Sequence, residues 1–168
     1  MRQSKMKRAV LIAWMIGVLY GCTEHNSFYS SVPTFPVHIE INTTQGMFVH
    51  FVPENVTAHM TIDAAGYHFS GQTWPLAINE AYGYSGIVVF IDGIQPYGAY
   101  DLCCPHCLRK NDPCYIDGIF AVCPICHEQY DIYTGYGIPT TGIGKEPLRR
   151  YRAQYDLNRG IIFISQGQ

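Results

Sequence analysis

The clearest periodic pattern in the chain is the strict alternation of apolar and polar residues over positions 37–42. A strand with one face in a core and the other in water has this period of two. The pattern therefore predicts a strand whose odd-numbered side chains face the core. Residues 44–46 are typical of a turn, so we expect residues 47–52 to return as the second strand of a hairpin.

A second pattern is the uninterrupted apolar run at residues 87–91. It predicts a central strand that is covered on both faces, followed by a turn at residues 92–93. Residues 54–85 mix glycines with aromatic residues and predict loops held by aromatic anchors, and residues 134–147 predict an irregular loop. Further strands are expected at residues 97–102, 119–122, 130–133, 148–155 and 161–165, with the last two forming a closing hairpin.

The composition favours strands over helices. The chain has 168 residues, 48% hydrophobic and 14% charged, with 13 Tyr, 8 Phe, 16 Gly and 10 Pro. Tyr and Phe are common in strands, and Gly and Pro are common in turns. No window beyond residue 21 sustains the 3.6-residue apolar period of a helix. We therefore expect one all-β domain, over residues 37–168.

The amino-terminal segment has the pattern of an export signal. Four basic residues within positions 2–8 precede an apolar run of twelve at positions 9–20. That run is too short to cross a bilayer and has the length of a signal peptide's apolar region. It ends in Leu-Tyr-Gly-Cys, which resembles the bacterial lipobox with Cys22 as the acylated residue. An ordinary secretory signal or a retained membrane anchor is the alternative interpretation.

The lipobox interpretation sets the expected domain organisation and location. Residues 1–21 are expected to form a lipoprotein signal peptide, and residues 22–36 a tether between the lipid and the domain. The protein is then expected in the bacterial cell envelope, on the periplasmic or outer-membrane face, with the lipid membrane as a partner through acylated Cys22. Without residues 1–21 the formal charge is 7 − 13 = −6. An acidic domain of this kind argues against nucleic-acid binding.

The most specific motif is a repeated pair of cysteines. Cys104 and Cys107 lie in one C-P-x-C segment and Cys123 and Cys126 in another, with fifteen residues between the segments. Two such pairs at this separation match a zinc-site template. Each short turn presents two sulfurs on one side, so two facing turns supply four thiolates in a tetrahedron, which suits zinc or iron.

Disulfides are the alternative for these cysteines, because export leads to an oxidising compartment. Apart from Cys22, all six cysteines lie between residues 103 and 126. The repetition of C-P-x-C favours metal over a disulfide framework. Cys103 and Cys114 are then outside the metal site, where they could pair with each other.

The order of motifs from about residue 85 to residue 165 resembles a Rieske-fold domain. The C-x-H form of the first ligand pair is present in Cys104-Pro105-His106, and Cys123-Pro124 opens the second pair. An aromatic–aspartate pair, a Gly-rich segment and a terminal strand follow in the family's order: Tyr130-Asp131, Thr134-Gly135, residues 138–144, residues 146–148 and Tyr151. The wider chain is similar to Rieske-like lipoproteins of Bacteroidetes-type bacteria.

The resemblance implies a Rieske-like β-sandwich with a small two-loop metal lobe at about residues 101–133. It also implies a [2Fe–2S] cluster with the ligands Cys104, His106, Cys123 and Cys126. This chain departs from the family at two positions. Cys126 occupies the place of the second histidine ligand, and Cys107 adds a thiol that could replace His106.

The sequence leaves two functions open, with electron transfer through a [2Fe–2S] cluster as the first interpretation and structural zinc as the alternative. The resemblance implies an electron carrier that uses a [2Fe–2S] cluster and an unidentified redox partner. The spacing favours structural zinc in the four thiolates of Cys104, Cys107, Cys123 and Cys126, in a non-redox binding or assembly lipoprotein. An enzyme is not expected, because no Ser-His-Asp or Cys-His constellation can be placed and a closed four-thiolate site leaves no position for substrate.

Overall fold

The computed structural model describes residues 29–55, 57–91, 95–134 and 136–167, and nearly all of the regular secondary structure among these residues is β-strand. The signal segment, Cys22, the predicted turn at residues 92–93 and Gly135 lie outside the described residues. The elements are β1 Val37–Asn42, a 3₁₀ helix Gly46–His50, β2 His59–Asp63, β3 Gly66–Phe69, β4 Gln72–Trp74, β5 Ala81–Tyr82, β6 Ile87–Phe90, β7 Gly98–Asp101, β8 Tyr115–Asp117, β9 Phe120–Val122, β10 Gln129–Asp131, β11 Ile138–Pro139, β12 Arg150–Asp156 and β13 Ile161–Gln166.

The strands form two antiparallel sheets, which confirms the prediction of an all-β fold. The large sheet has the order β4-β3-β2-β6-β7-β12-β13-β1-β5, and the small sheet has the order β11-β10-β9-β8. The large sheet curls, so that β3 and β1 approach each other at Glu80. The carboxylate of Glu80 accepts hydrogen bonds from the Tyr67 hydroxyl on β3 and the Glu40 N–H on β1.

Strand β6 separates two apolar cores, which explains its unbroken apolar sequence. Ile87 and Val89 pack into the core of the curled large sheet. Val88 and Phe90 point the other way, into a second core shared with the small sheet. Because successive side chains of a strand point to opposite faces, a strand between two cores must be apolar at every position. The prediction of a central, doubly covered strand is confirmed.

The small sheet corresponds to the predicted metal lobe, and its two cysteine segments lie in different kinds of connection. The first C-P-x-C segment lies in the connection from β7 of the large sheet to β8 of the small sheet. Only the second C-P-x-C segment lies in a hairpin, between β9 and β10. The first segment therefore joins the two sheets covalently as well as through packing.

Two predictions about the amino-terminal half are wrong. The segment that was expected to return as a strand after β1 is the 3₁₀ helix, and β1 pairs instead with β13 and β5. The segment 54–85 was expected to form loops, but it contains β2, β3, β4 and β5. The residues 148–155 and 161–165 form the predicted closing hairpin as β12 and β13.

The described part of the predicted tether is docked on the domain. Val32 is fully buried, and the Arg149 side chain donates hydrogen bonds to the carbonyls of Val32 and Ser30. Ser31 donates from its N–H to Glu146 (2.6 Å) and from its hydroxyl to the carbonyl of Pro105 (3.2 Å). Residues 30–32 therefore pack on the domain, although the sequence predicts them as part of the tether. Within the described ranges, no helix has the length and apolar character needed to cross a membrane.

Candidate metal centre

The structure brings four cysteine sulfurs together at the junction of the two sheets. The Sγ atoms of Cys104, Cys107, Cys123 and Cys126 all lie within 4.8 Å of one another. The Cys104–Cys126 and Cys107–Cys123 pairs, each joining the two C-P-x-C segments, are both 3.8 Å apart. Cys104 and Cys123 are buried, while Cys107 and Cys126 are half-buried. The group is thus a compact site that opens toward solvent on one side.

The two C-P-x-C segments adopt the same backbone turn. The N–H of Leu108 donates to the Cys104 carbonyl at 2.9 Å, and the N–H of His127 donates to the Cys123 carbonyl at 3.0 Å. Leu108 and His127 both have left-handed backbones, with φ of 52° and 59°. This conformation is uncommon outside glycine. Its repetition at the same place in both segments identifies a built motif, which places the first and fourth residues of each turn side by side.

Backbone amides stabilise the thiolate of Cys123. Burial opposes the ionisation of this thiol, but the N–H groups of Cys126 and Ile125 point at its sulfur and bring the net pKa below its ordinary value. These donors are available because the turn leaves them without carbonyl partners. A thiolate, rather than a thiol, is the form that binds metal.

The sulfur of Cys104 has a side-chain partner. The hydroxyl of Tyr130 lies 3.2 Å from Cys104 Sγ, within the second core. Burial raises the pKa of Cys104, in spite of the hydrogen bonds from Tyr130 and from the Cys107 N–H. Burial also raises the pKa of Cys107, and the neighbouring Cys126 and Cys123 sulfurs raise it further. Four crowded sulfurs can lose their protons together only when a cation shares the site.

The other predicted site residues lie outside the sulfur group. His106 is exposed and does not belong to this group. The ligand position that the resemblance implies for His106 is taken by Cys107. Cys103 and Cys114 are buried free thiols and form no disulfide with each other. Burial raises the pKa of the Cys103 thiol to about 11. The suggested Cys103–Cys114 pairing is therefore not present, because both thiols are held as apolar groups in the interior.

Two buried carboxylates support the site, and sequence reasoning missed both. Glu128 is fully buried and accepts hydrogen bonds from the N–H and hydroxyl of Thr141 (2.8 and 2.6 Å) and from the N–H of Gly144 (2.5 Å). Burial opposes its ionisation, but these donors bring the pKa of Glu128 below its ordinary value. The carboxylate thereby fixes the Gly-rich segment 138–144 to the second C-P-x-C turn.

Asp101 is the second buried carboxylate, and it hydrogen-bonds to the backbone just before the first C-P-x-C turn. It is fully buried at the end of β7 and accepts hydrogen bonds from the Cys103 N–H (2.8 Å) and the Tyr151 hydroxyl (2.6 Å). The N–H of Tyr84 donates to it as well. Burial raises the pKa of Asp101. An acidic residue near a cysteine motif is unremarkable in a sequence, so no pattern indicated either Asp101 or Glu128.

The dimensions of the sulfur group fit a single metal ion. In a regular tetrahedron the centre lies at about 0.61 of the edge length from each vertex, so 3.8 Å edges place the centre about 2.3 Å from each sulfur, which equals the Zn–S bond length of ~2.3 Å. The remaining sulfur separations are within 4.8 Å, so the four sulfurs surround a space of the size that one metal ion occupies. The donor set therefore fits zinc or mononuclear iron.

Comparison with known proteins adds little to this geometry. No protein-family model and no curated protein matches the chain. Among solved structures, the chain is similar to one in the complex of reduced oxygenase and oxidised ferredoxin in carbazole 1,9a-dioxygenase. The identity is 14%, the alignment covers 68% of this chain and 86% of that one, and the TM-score is 0.40.

Proposed function

We propose that this protein is a lipid-anchored envelope protein whose β domain binds one metal ion through Cys104, Cys107, Cys123 and Cys126. Zinc is the first candidate for this ion. The observation that carries the proposal is the compact group of four sulfurs, all within 4.8 Å of one another. Bound zinc would supply the positive charge that four crowded thiolates need, and it would cross-link the two C-P-x-C turns.

The same compactness argues against a [2Fe–2S] cluster in this arrangement. In such a cluster two irons are bridged by two sulfides, and each iron takes its own pair of protein ligands. The two ligand pairs are therefore separated by the length of the cluster. Here the Sγ atoms of both pairs lie within 4.8 Å of one another, which leaves room for one ion among them.

A structural role for the metal follows from the small size of the lobe. Strands β8, β9 and β10 have three residues each and β11 has two. Sheets of this size are marginal without additional cross-links, and small domains commonly use a structural metal for this purpose. A site with four protein thiolates is also closed to substrate. We therefore propose a binding or assembly role, without catalysis at the metal.

Electron transfer by iron is the second candidate. Its supporting observation is the set of hydrogen bonds to sulfur, from Tyr130 to Cys104 and from the backbone amides to Cys123. Such hydrogen bonds tune the reduction potentials of iron–sulfur sites. Mononuclear iron would use the same four thiolates, whereas the [2Fe–2S] cluster that the sequence resemblance implies would require the two turns to move apart.

The anchoring and the partners rest on the sequence. We propose acylation of Cys22 and an envelope location because of the lipobox-like segment, which lies outside the described residues. A protein partner is proposed because apolar side chains are exposed beside the ligands, Leu108 at 42% and Ile125 at 51%. The acidic charge of the mature chain argues against nucleic acid as that partner.

The test is the metal and sulfide content of residues 23–168 purified without oxygen, together with the visible spectrum. We expect one zinc per chain and no acid-labile sulfide. The Cys107→Ser variant should lose the metal, whereas His106→Ala and the non-ligand control Cys114→Ala should keep it. Equal amounts of iron and sulfide, with metal retained in Cys107→Ser and lost in His106→Ala, would replace this proposal by the [2Fe–2S] carrier.

A further inference from the structure

A cleft lies where the two ends of the large sheet approach each other. Its lining residues precede the metal-site cysteines in the sequence. We name it the Trp74 cleft. Its volume is about 340 Å³, which is within the range for small-ligand sites. The residues that define its chemistry are Glu40, Asn42, Phe48, Tyr67, Trp74 and Glu80. Nothing in the proposed metal site uses any of them.

The fold builds the aromatic wall of the cleft from three separate elements. Phe48 comes from the 3₁₀ helix, Tyr67 from β3 and Trp74 from the end of the edge strand β4. The Phe48 and Tyr67 rings pack edge to face with centroids 5.2 Å apart, so their positions are fixed. Trp74 is 53% exposed. An exposed indole beside two fixed rings presents aromatic surface to a ligand and not only to the core.

The floor of the cleft is fixed by Glu80. Its carboxylate accepts hydrogen bonds from the Tyr67 hydroxyl, from the Glu40 N–H (3.2 Å) and from the Ala77 N–H (2.7 Å). All three donors are neutral, so they orient the carboxylate without compensating its charge. Glu80 is therefore a positioned negative charge at the point where β1 and β3 are joined.

The cleft has an excess of negative charge. Glu40 adds a second carboxylate, and none of the described lining residues is Lys, Arg or His. His38 lies on the same strand, and its Nε2 is 3.7 Å from a Glu40 oxygen. Both side chains are about half-exposed. A ligand with a positive charge would thus be attracted, and an anionic ligand would be repelled.

We propose that the Trp74 cleft binds a small organic cation, an alkylamine or quaternary ammonium compound. Aromatic faces attract such cations through the ring quadrupole, and the two carboxylates supply charge of the opposite sign. A hard divalent metal ion fits less well, because two carboxylates provide too few oxygen ligands and no cluster of metal-ligating groups is present there among the described residues. An uncharged sugar would use the indole face but would gain nothing from the carboxylates.

The experiment exploits the position of Trp74, because the only other tryptophan, Trp14, lies in the predicted signal peptide. In residues 23–168, intrinsic fluorescence therefore reports on the cleft. Choline chloride is titrated and compared with potassium chloride and glucose at equal concentration. We expect saturable quenching by choline alone, and about a tenfold weaker affinity in Glu40→Gln, as the loss of one charge contact of about 1.4 kcal/mol predicts.

The variant Glu54→Gln provides the matched control, because it removes an exposed carboxylate that does not line the cleft. It should bind choline as the wild type does, and equal melting temperatures would show that the variants are folded. A response to glucose but not to choline would overturn the proposal in favour of a sugar site. An equal response to potassium chloride, or no saturation with choline, would overturn it as well. The metal centre contributes no residue to the cleft. A finding that the protein binds no zinc would therefore leave the expected choline binding unchanged.

Discussion

The hydroxyl of Tyr130 lies 3.2 Å from the sulfur of Cys104, and both groups are buried in the second core. A hydrogen bond to an ionised group contributes about 1.5–3 kcal/mol, and loss of an outer partner of a metal ligand commonly lowers metal affinity by ~10–100-fold. We therefore expect Tyr130→Phe to keep the fold and to lose metal to a chelator more readily.

The measurement is competition with a chromophoric zinc chelator. Tyr133→Phe is the matched control, because its hydroxyl donates to the carbonyl of Thr57 and not to a cysteine. If Tyr130→Phe and Tyr133→Phe released zinc equally, the hydrogen bond to Cys104 would have no role in metal binding.

Glu128 fixes the Gly-rich segment to the second turn, so its replacement should release that segment. In Glu128→Gln, an amide nitrogen would replace one of the two carboxylate oxygens, and it would face either the Thr141 N–H, which now donates to Oε1, or the Gly144 N–H, which now donates to Oε2. Leaving buried donors unsatisfied costs about 1–3 kcal/mol. We expect faster amide hydrogen exchange at these two residues and a lower midpoint of urea unfolding.

Glu146→Gln is the control for this prediction. Its carboxylate accepts a hydrogen bond from the exposed Ser31 N–H. Unchanged exchange at Thr141 and Gly144 in the Glu128 variant would show that other contacts hold the segment in place.

The stability should depend on the protonation of His59. Burial lowers the pKa of this side chain below the ordinary value of 6.5, although its hydrogen bond to Thr57 raises it in part. When the pH is below 6.5 but above the folded-state pKa, His59 is protonated in the unfolded chain and neutral in the folded protein. The free energy of unfolding should therefore fall as the pH falls from 7 toward the folded-state pKa.

Substitution by glutamine tests this linkage. The dependence of unfolding free energy on pH in the range of about 5–7 should be shallower in His59→Gln than in the wild type. His50→Gln, at an exposed position, is the matched control. Parallel profiles for His59→Gln and the wild type would contradict the assignment of this acid sensitivity to His59.

Val32 should contribute to stability although it precedes the predicted domain boundary at residue 37. Its side chain is fully buried. Removing two buried methyl groups in Val32→Ala should cost about 1–3 kcal/mol in the free energy of unfolding. The control Val49→Ala changes a valine that is 44% exposed and should cost less. Equal unfolding midpoints for the Val32 variant and the wild type would mean that residues 30–36 do dissociate in solution.

The sequence predicted those elements whose pattern is visible within one strand. The alternation in β1 and the apolar run of β6 are local signals, and the structure confirms both. Strand β2 has only Met60 and Ile62 as buried positions, which is too short a pattern to identify a strand. The 3₁₀ helix was missed for a different reason, because the pairing of β1 with β13 depends on residues more than a hundred positions away.

The candidate site shows the same division. The spacing of the cysteines predicted a group of four sulfurs, because a short turn determines where its own side chains lie. The role of Glu128 could not be predicted, since its partners Thr141 and Gly144 reach it only after β10 and β11 have paired. The position of His106 was inferred from a family resemblance, and the same turn that gathers the sulfurs leaves this histidine in solvent.

The docked amino-terminal segment limits how far the domain can move from a bilayer. If Cys22 is acylated as proposed, eight residue steps separate it from Ser30, which Arg149 holds on the domain. At ~3.6 Å per residue these steps reach at most about 29 Å. The next residue, Ser31, contacts Pro105 in the first cysteine turn. The proposed lipid connection therefore ends beside the metal centre, so that this side of the domain would stay within the reach of that connection from the membrane surface.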